Sequence, residues 1–173
     1  MKLTLIIILA ILGISVLLSY YIILGKIHSD SYFSHPLWFG INSDITKMLT
    51  IFQIFAAIGF IIGVVAWFKT PPKTGIMANE YVLFTTICLF FLSSTSWSFA
   101  VYYKVEWLVI LSLIITSICS ILLLAGSIED VDAKWYIVLG FMLLCITTVL
   151  GDGVLWNANY IKRLFNKSNN TLE

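Results

Sequence analysis

The chain of 173 residues is 60% hydrophobic and only 11% charged, whereas a soluble domain is about 45–50% apolar and about 25% charged. That excludes a soluble globular domain, and 10 Lys plus Arg against 9 Asp plus Glu leave no basic excess to hold a nucleic acid and no solvating acidic tail. The expected partner is the lipid bilayer, and the few charges report topology.

The first apolar run, Leu3 to Leu24, reaches the roughly 20 residues that a helix needs to cross about 30 Å of hydrocarbon. Lys2 stands directly before it, as in a signal sequence, but no A-x-A cleavage site follows, so the run is expected to be retained. The loop after it, residues 25–44, reads "GKIHSDSYFSHPLWFGINSD". Its aromatics and Pro36 make it a candidate lid. His28 and His35 with Asp30 form neither a helical i, i+4 pair nor a full ligand set, so no metal is expected there.

The second run, Ile45 to Phe68, holds one deep polar group, Gln53, which suits a hydrogen bond to a neighbouring helix. The turn "KTPPKTG" leads to the third run, Tyr81 to Tyr103, with its hydroxyl-rich stretch "FLSSTSWSFAVYY". At helical spacing Ser94, Trp97, Ser98 and Val101 share one face. A tight turn at Lys104 opens the fourth run, Trp107 to Gly126, and the acidic loop "SIEDVDAK" precedes the fifth, Trp135 to Ile161. Cys88, Cys119 and Cys145 fall in three different runs and read as small core residues, with no pattern for zinc or a disulfide framework.

The fifth run carries Asp152, the one acid deep inside an expected span. It lies about 6 Å along the axis from the midpoint near Thr148, where a charge costs about 2.5–3.5 kcal/mol unless it is paired, wet or protonated. The steps from Cys145 to Thr148, Asp152, Trp156 and Asn159 predict one inward stripe on an α-helix. Gly151 and Gly153 beside the acid permit close approach of another helix or a ligand. Asp152 is then either a protonated carboxyl donating a hydrogen bond or a group that handles a ligand or ion.

These runs are continuous, unlike the alternating segments of barrel strands, and lipid leaves backbone amides no external partner. The fold class is therefore all-α, a single bundle of five transmembrane helices over residues 1–173. Five spans put the termini on opposite sides. Lys26, Lys47, Lys104, Lys162, Arg163 and Lys167 collect on one side, against Lys2, Lys69, Lys73 and Lys134 on the other. That imbalance favours an outside N-terminus and a cytoplasmic C-terminus. The tail triplets Asn166-Lys-Ser and Asn169-Asn-Thr would matter as glycosylation sites only outside the cytoplasm.

Several functions lack their residues. No span holds a central lysine for a retinal Schiff base, a T-V-G-Y-G filter or an arginine ladder. No nucleophile elbow, phosphate loop or H-E-x-x-H occurs, and no enzyme is expected.

Five helices, a long aromatic first loop with proline and tryptophans at helix ends together resemble the TspO family of translocator, or tryptophan-rich sensory, proteins. The family's fifth-helix pattern L-N-x-x-x-W-x-x-N aligns with Gly151-Asp152, Trp156 and Asn159. Its third-helix N-x-x-W-S aligns with Ser94, Trp97-Ser98 and the following Tyr102, and its second-helix small patch with Ala56-Ala57-Ile58-Gly59-Phe60, ending in Trp67. The chain departs from the family at Asp152 and Ser94, which replace asparagines, at Ile110 in place of an acid, and at the single Pro36 before Trp38.

The resemblance implies an apolar-ligand site inside the bundle, with a porphyrin or other tetrapyrrole or a sterol as the ligand. Trp38, Ser94, Trp97, Ser98, Thr148, Asp152, Trp156 and Asn159 are the candidate site residues. A sterol-contact pattern also occurs at Leu155, Tyr160 and Lys162. Two other readings stay open. One is a small ion- or proton-coupled transporter or channel subunit that uses Asp152; the other is a structural subunit packed as a homodimer or in a larger membrane complex.

Overall fold

The computed structural model describes residues 3–26, 38 and 41–169. Among them are five helices long and apolar enough to cross a membrane and no strand, so the protein is an all-α, multi-pass membrane bundle. The first four spans are α1 (Leu3–Lys26), α2 (Ser43–Lys69), α3 (Glu80–Tyr102) and α4 (Glu106–Glu129). The fifth is built in three continuous pieces: α5 (Trp135–Ile146), a π-helical segment (Thr147–Trp156) and α6 (Asn157–Asn169). His28, His35, Asp30, Pro36 and Lys2 lie outside the described residues.

Local chemistry sets the boundaries. Asn42 caps α2 by accepting from the Asp44 amide at 2.8 Å, and Asn79 caps α3 by accepting from the Tyr81 amide at 2.9 Å. Asp44 and Glu80 stand in those first turns, where a carboxylate meets the positive end of the helix dipole. At the end of α3, Lys104 adopts a left-handed conformation, φ 59°. The Val105 amide donates to Ala100 O at 2.9 Å and the Lys104 amide to Val101 O at 3.2 Å, the two bonds of a Schellman stop.

The fourth helix runs past Gly126, the expected end, to Glu129. Gly126 is needed for contact rather than for stopping, because a Cβ there would overlap the Met77 side chain. The turn from α2 to α3 is tied to the α4 end: Thr74 Oγ1 donates to Glu129 O at 2.7 Å and the Ile76 amide donates to Glu129 Oε2 at 2.8 Å.

Packing makes an incomplete ring. α1 rests on α3, α3 on α4, α4 on α5 and the π segment, and α5 on α2, while α1 and α2 make little direct contact. The α2–α5 pair is close because Gly59 and Gly140 face each other; a Cβ on Gly59 would come 2.7 Å from Gly140 Cα. Such small-residue contact replaces the hydrophobic drive that is absent between helices in lipid. Below the gap, Phe60, Phe90, Phe91 and Phe141 interlock, with Trp67 against Phe141 at 4.5 Å between centroids.

Candidate functional site

The gap between α1 and α2 opens into a cavity of about 480 Å³, within the roughly 300–1,000 Å³ typical of small-molecule sites. Ala10 to Tyr20 of α1, Gln53 to Ile61 of α2, Phe90 to Ser94 of α3 and Leu144 to Asp152 of the fifth span supply its walls. These stretches lie near the middle of their helices, so the cavity is at mid-membrane depth. Ile14, Leu17 and Ile61 at its mouth are exposed apolar side chains that lipid tails would meet.

Asp152 lies in this wall, and its Oδ1 is enclosed without a hydrogen-bond partner. The backbone that presents it is the π segment, ten residues long. π geometry is rare and marks functional sites more often than ordinary helix does. Two features accommodate it here. Gly153 lacks a Cβ that would otherwise come 2.7 Å from Ser117 Oγ, so Ser117 can donate to the Thr148 carbonyl at 3.0 Å. Asn157 Nδ2 donates to the Gly153 carbonyl at 3.3 Å.

The wider π turn also corrects the expected stripe. Where hydrogen bonds run from i to i+5, residues four and five apart share a face. Trp156 and Asn157 are buried after Asp152, whereas Asn159 is half-buried and donates to its own helix at Leu155 O, 2.8 Å. Asn157, whose Oδ1 is buried and unpartnered, is thus the inward asparagine that α-helical spacing misses.

The other expected residues divide into two groups. Ser94, Thr148 and Asp152 come together as cavity lining. Trp38, Trp97 and Trp156 come together as a buried column with Tyr20: Tyr20 to Trp97 at 5.6 Å, Trp97 to Trp156 at 4.7 Å and Trp156 to Trp38 at 5.2 Å between centroids. The tryptophans do not line the cavity. They stand one turn beyond it, Trp97 after Ser94 and Trp156 after Asp152, while Tyr20 belongs to both groups and accepts from Trp97 Nε1 at 3.2 Å. Ser98 is fully buried and donates to Thr95 O at 3.0 Å, away from the cavity. The sterol-contact pattern splits: Tyr160 is buried in the aromatic cluster, whereas Leu155 and Lys162 are exposed.

Most cavity hydroxyls already spend their proton within a helix. Thr116 donates to Ser112 O at 2.9 Å, Thr147 to Leu143 O at 2.8 Å and Thr148 to Leu144 O at 3.0 Å. Thr116 is further paired with Ser93 Oγ at 2.8 Å and Thr148 with Ser120 Oγ. No Lys, Arg or His is among the described lining residues.

Fold and site together define a multi-pass helical membrane protein with an internal, laterally open cavity. Set against protein families, characterised proteins and solved structures, the chain matches none.

Proposed function

We propose that this protein binds an apolar small molecule drawn from the bilayer, in the manner that its sequence resemblance to the TspO family implies, with a sterol or tetrapyrrole as the ligand class. The observation that carries the reading is the mid-membrane cavity, open between α1 and α2 and walled mostly by hydrocarbon, with a few polar groups on its inner side. Apolar walls with a small number of convergent polar groups are the usual make-up of ligand sites. The basic ends at Lys26, Lys47, Lys104 and Lys162 give this reading its orientation, with those ends in the cytoplasm.

The test is titration of the full chain in nanodiscs with protoporphyrin and with the fluorescent sterol dehydroergosterol, following Trp emission. Saturable binding of either, abolished by Ala57→Trp at the cavity mouth, supports the reading. Linear, non-saturable signals with both probes in folded protein overturn it.

A further inference from the structure

We infer that the cavity selects amphiphiles carrying a single protonated amine, which slide in sideways between α1 and α2 and set their nitrogen on the Asp152 carboxyl group. This rests on the ligand-binding reading above only in that an apolar molecule enters from the bilayer, and it replaces the sterol or tetrapyrrole class by one chosen for its head group.

The acidic group of the described lining is Asp152; Thr147 donates to a backbone carbonyl, and Thr116 and Thr148 are paired both with backbone carbonyls and with the hydroxyls of Ser93 and Ser120. Among the described polar lining side chains, Gln53 and Ser94 are neutral groups that can also donate. A ligand with a carboxylate or phosphate would find no cation among the described lining residues and would bring a second acid toward Asp152 in a medium that screens poorly. A plain hydrocarbon would leave the Asp152 carboxyl that lines the cavity without a donor from the ligand, and an unmet polar group in such a place is costly. An alcohol supplies one donor but no charge. An ammonium supplies both, and charge-assisted hydrogen bonds are roughly twice as strong as neutral ones. The ammonium–carboxylate pair is neutral as a whole whichever atom holds the proton, so it suits hydrocarbon surroundings.

The geometry of access agrees. The mouth is framed by Ile14, Leu17 and Ile61, side chains that meet lipid tails and carry no group to strip water from a charged head. A long-chain amine already resides in the bilayer, and the gap lets its head move inward without leaving the membrane, at a desolvation cost that pairing with Asp152 offsets.

The experiment compares dodecylamine with dodecanol, two chains of equal length, as competitors for bound dehydroergosterol in phosphatidylcholine nanodiscs at neutral pH, with direct calorimetry of each as a second readout. The expected result is at least tenfold tighter binding of the amine by the wild-type chain. In Asp152→Asn that preference falls to about unity. Unchanged far-ultraviolet circular dichroism and a cooperative thermal transition show that the variant is folded. Equal affinities in the wild type, measured by calorimetry, overturn the inference and leave the ligand-binding reading intact. An amine preference that survives in Asp152→Asn overturns the assignment to Asp152. No saturable binding of amine, alcohol, sterol or protoporphyrin removes both readings together.

Discussion

Trp97 of α3 and Trp156 at the end of the π segment stack with centroids 4.7 Å apart and ring planes at 40°, and through them the third span is joined to the fifth. Trp38 on one side and Tyr20 on the other extend the contact to the first loop and to α1. Trp156→Ala removes the central ring of this column. In water a Trp→Ala core change costs about 3–5 kcal/mol, but lipid is as apolar as the interior and much of the transfer part is lost. The expected destabilisation is therefore at the low end, about 3 kcal/mol, read by reversible unfolding in mixed micelles. A loss below about 1 kcal/mol would mean that the column does not hold the bundle end.

Gly59 and Gly140 make the tightest helix crossing. In Gly59→Leu the first added carbon already meets Gly140 Cα at 2.7 Å and its carbonyl oxygen at 3.1 Å, and backbone cannot move aside as a side chain can. Separation of α2 from α5 should cost about 1–3 kcal/mol and widen the cavity that both helices wall. Crosslinking of cysteines introduced on α2 and α5, compared with and without the substitution, checks the separation.

Much of this was legible in the sequence because lipid imposes long continuous apolar runs, and five such runs fix the spans to within a few residues. The shared inward placement of Ser94, Thr148 and Asp152 follows from helical spacing plus the demand that polar groups face inward. The separation of Trp38, Trp97 and Trp156 from the cavity does not, because spacing puts Trp97 on the face of Ser94 and Trp156 on that of Asp152. Two further things did not follow. Gly126 is a contact residue for Met77, and a glycine near a helix end looks the same in sequence whether it stops the helix or makes room. The π segment has no periodic signature of its own, since its first half obeys α spacing through Thr148 and Asp152. The two glycines read as room for a neighbour, and α-helical spacing points to Asn159 instead of Asn157, whose amide reaches the Gly153 carbonyl.

Lys104 occupies a position that glycine usually fills. A left-handed conformation costs an L-residue about 1–2 kcal/mol, and glycine avoids this but loses about 0.5–1 kcal/mol more chain entropy on folding. With the Schellman bonds kept, Lys104→Gly should stabilise the protein by about 0.5–1 kcal/mol. Thermal unfolding in micelles checks this, and a lower melting temperature would show that the lysine side chain itself contributes at the membrane boundary.

At the opposite end, Lys73 Nζ is 2.7 Å from Asp132 Oδ2, and the hydrogen bond and charge of Asp132 hold the ammonium above its ordinary value. A raised lysine contributes stability that is complete below the unfolded value, about 10.4, and is lost as pH rises through the folded one. The difference in melting temperature between the wild type and Lys73→Met should therefore be flat up to about pH 10 and shrink above it. Because the pair is solvent-exposed, the difference should be small and should fall further in high salt. A difference that grows with pH would reverse the assignment.

Asp152 sets function against stability. An enclosed carboxyl oxygen without a partner near the middle of a span is the costliest polar placement in the bundle, and Asp152→Leu replaces it with hydrocarbon of similar size. The empty protein should then gain about 1–3 kcal/mol, the penalty of an unsatisfied buried polar group, even as binding of an amine is lost. Stabilising substitutions at functional positions commonly show this opposition. Unfolding in micelles of wild type and variant without ligand, followed by the same pair with saturating dodecylamine, separates the two effects. The amine should raise the wild-type melting temperature and leave the variant unmoved, because only a ligand that binds the folded state stabilises it. If Asp152→Leu instead destabilises the ligand-free chain, the carboxyl already has a partner at rest and its role is to tie helices together.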